Sequence, residues 1–194
     1  MKGFARKRGR YVAHLDRTER TILSRVVADT ALLLGTRLDI ELPAAEPDSL
    51  ASLDWSADEI AEPTDPALAR LLPAASEDDG IAGEFRRLTE SDLRAAKVDR
   101  LRMVWGALLA PGERLEVAPE MAMDWAAALT DVRLVIAERL DIQTDDDAEA
   151  VYEAATRRRR PGDEVDEVRS ALASLYMALT WLQESLLTVM LRAL

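Results

Sequence analysis

Between Val165 and Val189, apolar residues recur at alternating spacings of three and four: Val165, Val168, Leu172, Leu175, Leu179, Leu182, Leu186 and Val189. This is the period of one face of an α-helix, held in heptad-like register. At 1.5 Å per residue, a helix running from here to Leu194 spans roughly 45 Å, longer than a small domain is wide. Such an element is either the spine of a bundle or a homodimer seam, because both use the same packing. A membrane span is the poorer reading. The apolar run Leu172 to Leu194 contains Gln183, Glu184 and Arg192, and an acid at mid-bilayer costs roughly 2.5–3.5 kcal/mol. The expectation is a buried helix in a soluble, cytoplasmic protein.

The other elements are punctuated by turn and cap residues. Residues 1–15 read as a β-hairpin turning at Arg8-Gly9, with Tyr11, Ala13 and Leu15 alternating against Val12 and His14. Asp16, with Glu19 three residues on, predicts a capped helix running to about Asp39. Its Ile22, Val26 and Leu33 lie near one stripe, and Leu23, Val27, Leu34 and Leu38 near the next, so it should contact two neighbours. Residues 41–64 hold three prolines, seven acids and no base, which predicts an acidic loop. Asp65-Pro66 opens a short helix that stops at Pro73. Residues 74–83 read as a second acidic loop. Thr89, with Asp92 three residues on, predicts the start of the next helix, with Leu93, Leu101, Val104 and Leu108 inward. Leu115 to Val117 suits one further short strand pairing with the hairpin. Pro119 opens a helix with Trp125, Leu129, Val132, Ile136 and Leu140 inward, and Asp145 to Thr156 suit a short one. Residues 157–162, four arginines and Pro161-Gly162, read as a basic linker. The fold class expected is mainly α: a single helical domain over residues 1–194, a bundle with a small amino-terminal hairpin.

Composition narrows the chemistry. There is no cysteine, so disulfides, thiolate metal sites and thiol redox switching are excluded for this chain. His14 is the only histidine. A Ser-His pair has that single candidate base, and a carboxylate di-metal bundle site would need Glu-x-x-His pairs that do not occur. No glycine-rich phosphate loop appears. No catalytic residue, metal site or cofactor is expected.

Two groups of residues remain as candidate sites. Lys2, Arg6, Lys7, Arg8 and Arg10 put five positive charges in the first ten residues; removing them from 25 basic residues leaves 20 against 36 acids. They are the expected contact for nucleic acid or a partner, although an edge strand also uses such charges to oppose aggregation. Lys97, Asp131, Arg133, Gln183 and Glu184 lie on or beside the apolar seams of three expected helices. Unpaired burial would cost them several kcal/mol, on the order of the price of stranding any charge in a core. They are expected to share one polar inter-helix cluster, either an internal ion-pair network or a small ligand pocket.

Several of these segments carry a resemblance. They are Phe4, Arg6, Arg8, Gly9 and Tyr11 of the hairpin; Asp65-Pro66 with Leu68 and Arg70-Leu71-Leu72-Pro73; and Phe85-Arg86 with Leu88-Thr89-Glu90, Asp92-Leu93-Arg94 and Lys97. Trp125, Leu129 and Asp131-Val132-Arg133-Leu134 follow, then Tyr176 and Leu179-Thr180-Trp181-Leu182-Gln183-Glu184. In this order and spacing they resemble, over nearly the whole chain, an actinobacterial family known as a domain of unknown function. Some members are described as oxidative-stress transcriptional regulators, and the family is commonly encoded beside an adaptor of the Clp protease. The resemblance implies a non-enzymatic regulatory protein acting through a protein partner or DNA. Alternatives are a small-ligand binder or enzyme using the polar cluster, and an adaptor linked to Clp proteolysis.

Overall fold

The computed structural model describes residues 1–38, 63–156 and 167–193. Nearly all of the acidic stretch 41–64 and the basic linker 157–162 lie outside the described residues.

The chain opens with β1 (Lys2–Lys7) and β2 (Arg10–His14), an antiparallel pair in which Lys7 faces Arg10. Arg8 and Gly9 both have positive φ, 50° and 79°. Two such residues in a two-residue connection match the right-handed twist of the strands. The expected further strand is present as β3 (Arg114–Val117), which pairs antiparallel with β2 and gives the order β1-β2-β3. Tyr11 opposite Val117 and Ala13 opposite Leu115 are all buried in the core.

Helix α1 (Arg17–Leu33) begins where the capping box predicts. Glu19 N–H donates to Asp16 Oδ1 at 2.9 Å, and Asp16 N–H donates to Glu19 Oε2 at 2.8 Å. It stops before the expected Asp39. Gly35, at φ 87°, lets Gly35 N–H reach the Leu32 carbonyl and Thr36 N–H the Ala31 carbonyl, a Schellman closure. Leu23, Val27, Leu34 and Leu38 are buried, whereas Ile22 is exposed.

Helix α2 (Pro66–Leu71) is capped by Asp65, whose carboxylate accepts from Ala67 N–H at 2.8 Å. Residues 74–78 are non-helical as expected, but helix α3 (Asp79–Leu109) corrects the expectation that the loop continues to 83 and the helix starts at Thr89. Asp78 is the cap, accepting from Ile81 N–H at 3.0 Å. Thr89 lies inside the helix and donates its hydroxyl back to the Phe85 carbonyl. A Thr-x-x-Asp pattern caps only where the preceding chain is not helical. Here Asp78 and Asp79 favour the positive helix end, and the Glu84–Arg87 pair supports the first turns.

A 3-10 turn over Pro119–Met121 leads into α4 (Ala122–Arg139), so the proline opens a tighter turn and not the α-helix itself. Trp125, Leu129, Val132, Ile136 and Leu140 are buried as expected, and Phe4 meets Trp125 edge-on at 6.4 Å. Helix α5 (Asp145–Thr156) precedes α6 (Glu167–Leu191). Leu179, Leu182 and Leu186 are 1% exposed or less. This part of the apolar stripe is therefore an internal seam against α4 and β1, the spine reading, while Val168 is 69% exposed. The edge of β1 is held to α6 by Phe4 N–H donating to Ser185 Oγ at 2.9 Å. A Cβ on Gly3 would come within 2.8 Å of Ser185, so the close approach of strand to helix needs glycine. Among the described residues no helix is long and apolar enough to cross a membrane.

Candidate functional site

The polar residues expected to form one cluster form two. On the α3–α4 seam, Lys97 Nζ lies 2.5 Å from Asp131 Oδ1, with the side chains 14% and 4% exposed. On the α4–α6 seam, Arg133 Nη1 donates to Gln183 Oε1 at 2.7 Å, and its guanidinium lies 5.3 Å from the centre of the Tyr176 ring. Gln183 is fixed in turn by donating Nε2 to the Ala126 carbonyl at 2.9 Å and to Thr130 Oγ1 at 2.6 Å. Asp131 and Arg133 are two residues apart, so a helix points them about 200° from each other. That separation divides the cluster. Glu184 corrects the expectation outright: one residue beyond Gln183, it is turned into solvent.

The five amino-terminal bases are all exposed, with Lys7 and Arg8 at the hairpin turn. Arg10 Nε lies 4.0 Å from Glu116 on β3, so its charge is partly offset. Glu116 also lies 2.9 Å from Arg114 of the same strand.

Sequence reasoning passed over Arg20, which is buried on α1. It donates to the carbonyls of Ala107, Leu108 and Ala110 at 2.6, 2.9 and 2.7 Å, and so closes the carboxyl end of α3. Burial pulls its guanidinium below the usual arginine pKa. At the other end of the contact, Arg94 donates to the Leu34 carbonyl at 3.1 Å. Helices α1 and α3 are thus antiparallel, and α1 runs out at about Arg94. Residues 79–93 of α3 extend past it.

That overhang carries a feature the expected loop concealed. Its inner side is conventional: Ala82 and Glu90 are buried, with Glu90 held between Arg86 and Arg94 at 3.5 and 2.7 Å. On the opposite side Ile81, Phe85 and Leu88 follow one another at i, i+4 and i+7 and are 61%, 51% and 59% exposed. Beyond Leu88 the same outward line is Asp92, Ala95, Asp99 and Arg102, all exposed and none bulky and apolar. Beside the stripe, Leu72, Pro73, Ala82, Phe85 and Leu93 line a shallow cleft, with Arg86, Thr89 and Glu90 among its walls. Leu93, expected inward, is 39% exposed there. The alternating spacing was legible in the sequence, but Gly80, Gly83 and the acids around them read as a loop.

Among the described residues no three His, Asp or Glu side chains are grouped to hold a metal ion. No curated protein and no solved structure matches the chain. A family model does match, over residues 1–190, a range that includes the hairpin, both polar clusters and the overhanging stripe. The chain belongs to the family described as Domain of unknown function (DUF2017).

Proposed function

We propose that the chain is a non-enzymatic regulatory protein of the cytoplasm. It acts by docking a protein partner on the outward face of residues 79–93 of α3. The observation that carries this reading is the row Ile81, Phe85 and Leu88, more than half exposed on the side opposite the core. Single exposed apolar residues are ordinary, but a row of them at helical spacing is the pattern by which a helix anchors in a partner. The resemblance to regulators favours a partner in the transcription machinery; the Clp adaptor association offers the alternative of a proteolysis adaptor. Lys97 pairs with Asp131 and Arg133 with Gln183, each across a helix seam, which favours a scaffold role for them, although Asp131 Oδ2 and Arg133 Nε are buried without a hydrogen-bond partner.

The test is a pull-down from native extract with the wild type and with Phe85→Ser/Leu88→Ser, partners being identified by mass spectrometry. A transcription or Clp component held by the wild type and lost by the variant supports the reading. Identical partner sets contradict it.

A second reading rests on the hairpin, whose exposed bases suit weak electrostatic binding to DNA phosphates. Replacing Arg6, Lys7, Arg8 and Arg10 with Ala should abolish such binding, and salt should weaken it steeply. Tight, salt-insensitive binding by that variant sinks this reading.

A further inference from the structure

We propose that the partner presents an apolar groove rimmed by lysine and arginine, into which α3 inserts Ile81, Phe85 and Leu88. This rests on the docking face just proposed and assigns the chemistry of what covers it. The three anchors span about 10 Å along one helix face, the length of a typical i, i+4, i+7 contact. The charge around them is one-sided. Residues 77–93 contain six acids, Glu77, Asp78, Asp79, Glu84, Glu90 and Asp92, and two bases. Both bases are ion-paired within the segment, Arg87 with Glu84 and Arg86 with Glu90. Glu77, Asp78, Asp79 and Asp92 have no basic partner among the described residues, and all four are exposed. They stand at the two ends of the apolar row, Asp78 and Asp79 before Ile81 and Asp92 after Leu88.

A cationic rim meets these carboxylates while the groove removes the apolar row from water. A second copy of the chain is a poor occupant, since it would set the unpaired carboxylates of both copies against each other. Nucleic acid and anionic lipid are repelled for the same reason.

The test uses the full chain and two fluorescein-labelled amphipathic helical peptides, alike except that the polar face is lysine in one and glutamate in the other. The leucine–lysine peptide should bind. Phe85→Ser/Leu88→Ser, which leaves the charge unchanged, should weaken it roughly tenfold or more, the scale of losing a central anchor. Replacing Asp78, Asp79 and Asp92 with Asn should have a similar effect, because Asn still caps a helix. The leucine–glutamate peptide should not bind. Equal binding by the serine variant, equal binding of both peptides, or a dimer abolished by the serine substitutions would each overturn the proposal. If partners in extract depend on Phe85 and Leu88 while neither peptide is preferred, the docking face stands and the cationic rim falls.

Discussion

Residues 94–109 and 79–93 of α3 belong to one continuous helix, yet their outward faces follow opposite rules. In the carboxyl-terminal half, Leu101, Val104 and Leu108 are buried, Arg20 closes the last turn, and the outward line is Ala95, Asp99, Arg102 and Gly106. The one bulky apolar side chain on that outward line is Leu109 in the last turn, 55% exposed and preceded on the line by Gly106. In the amino-terminal half α1 has ended, the inner side still packs, and the outward line turns to Ile81, Phe85 and Leu88. The difference teaches that amphipathicity reports burial only where the rest of the fold supplies a cover. Apolar residues on a helix face the fold leaves open need another explanation, and a docked partner is the physical one.

The comparison breaks most readily in the packed half. Lys97→Met leaves Asp131, 4% exposed, as a buried carboxylate without its cation. Stranding one member of a buried pair should lower stability by about 3–5 kcal/mol in urea denaturation. A loss below 1 kcal/mol, the surface-pair range, would show that the seam is not an enclosed ion pair.

Arg133→Met should cost less, about 1.5–3 kcal/mol, because the partners lost, Gln183 and Tyr176, are neutral. The double variant sharpens the point. Lys97 and Arg133 share no partner, so their effects should add to within about 0.5 kcal/mol. A larger coupling would restore the single network expected from sequence.

Phe85→Ser and Leu88→Ser should each lower stability by about 1 kcal/mol or less, since more than half of each side chain already lies in water. A destabilisation of 2 kcal/mol or more, on the order of a core truncation, would mean that the stripe is covered within the chain.

The smallest effect concerns the α2 platform beside the overhang. The hydrogen bond from Arg139, at 2.7 Å, and then that from Ala67 N–H hold the Asp65 carboxyl below its ordinary pKa. A depressed carboxylate pKa contributes stability above the unfolded value, near 4, and loses it as pH falls through the lower folded value. Asp65→Asn should therefore narrow the gap from wild type as pH drops from about 5 to 2. The difference should be only a few tenths of a kcal/mol, because the pair is exposed.

Much of this architecture was legible because the signals were local. Asp16 and Glu19, Asp65-Pro66, Arg8-Gly9 and the Trp125 to Leu140 row each fix their element within a few residues. The amino-terminal turns of α3 were not legible: Gly80 and Gly83 lower helix propensity, and the Asp78 cap with the Glu84–Arg87 pair offsets them. The site was half legible. Periodicity placed Lys97, Asp131, Arg133 and Gln183 on seams, but pairing depends on which helix each seam meets, a long-range property. Glu184 shows the cost of a one-residue step, about 100° around a helix. Arg20 gave no sequence signal, because its partners are backbone carbonyls that any residue at 107, 108 and 110 would supply.

Deuterium uptake along α3 tests the central claim most directly, measured in the full chain alone and in the complex recovered from extract. The account predicts slower exchange within residues 79–93 on complex formation, with residues 94–109 unchanged because α1 and α4 already protect them. Slowing confined to the hairpin or to the Arg133 seam, with residues 79–93 exchanging as in the free chain, would contradict it.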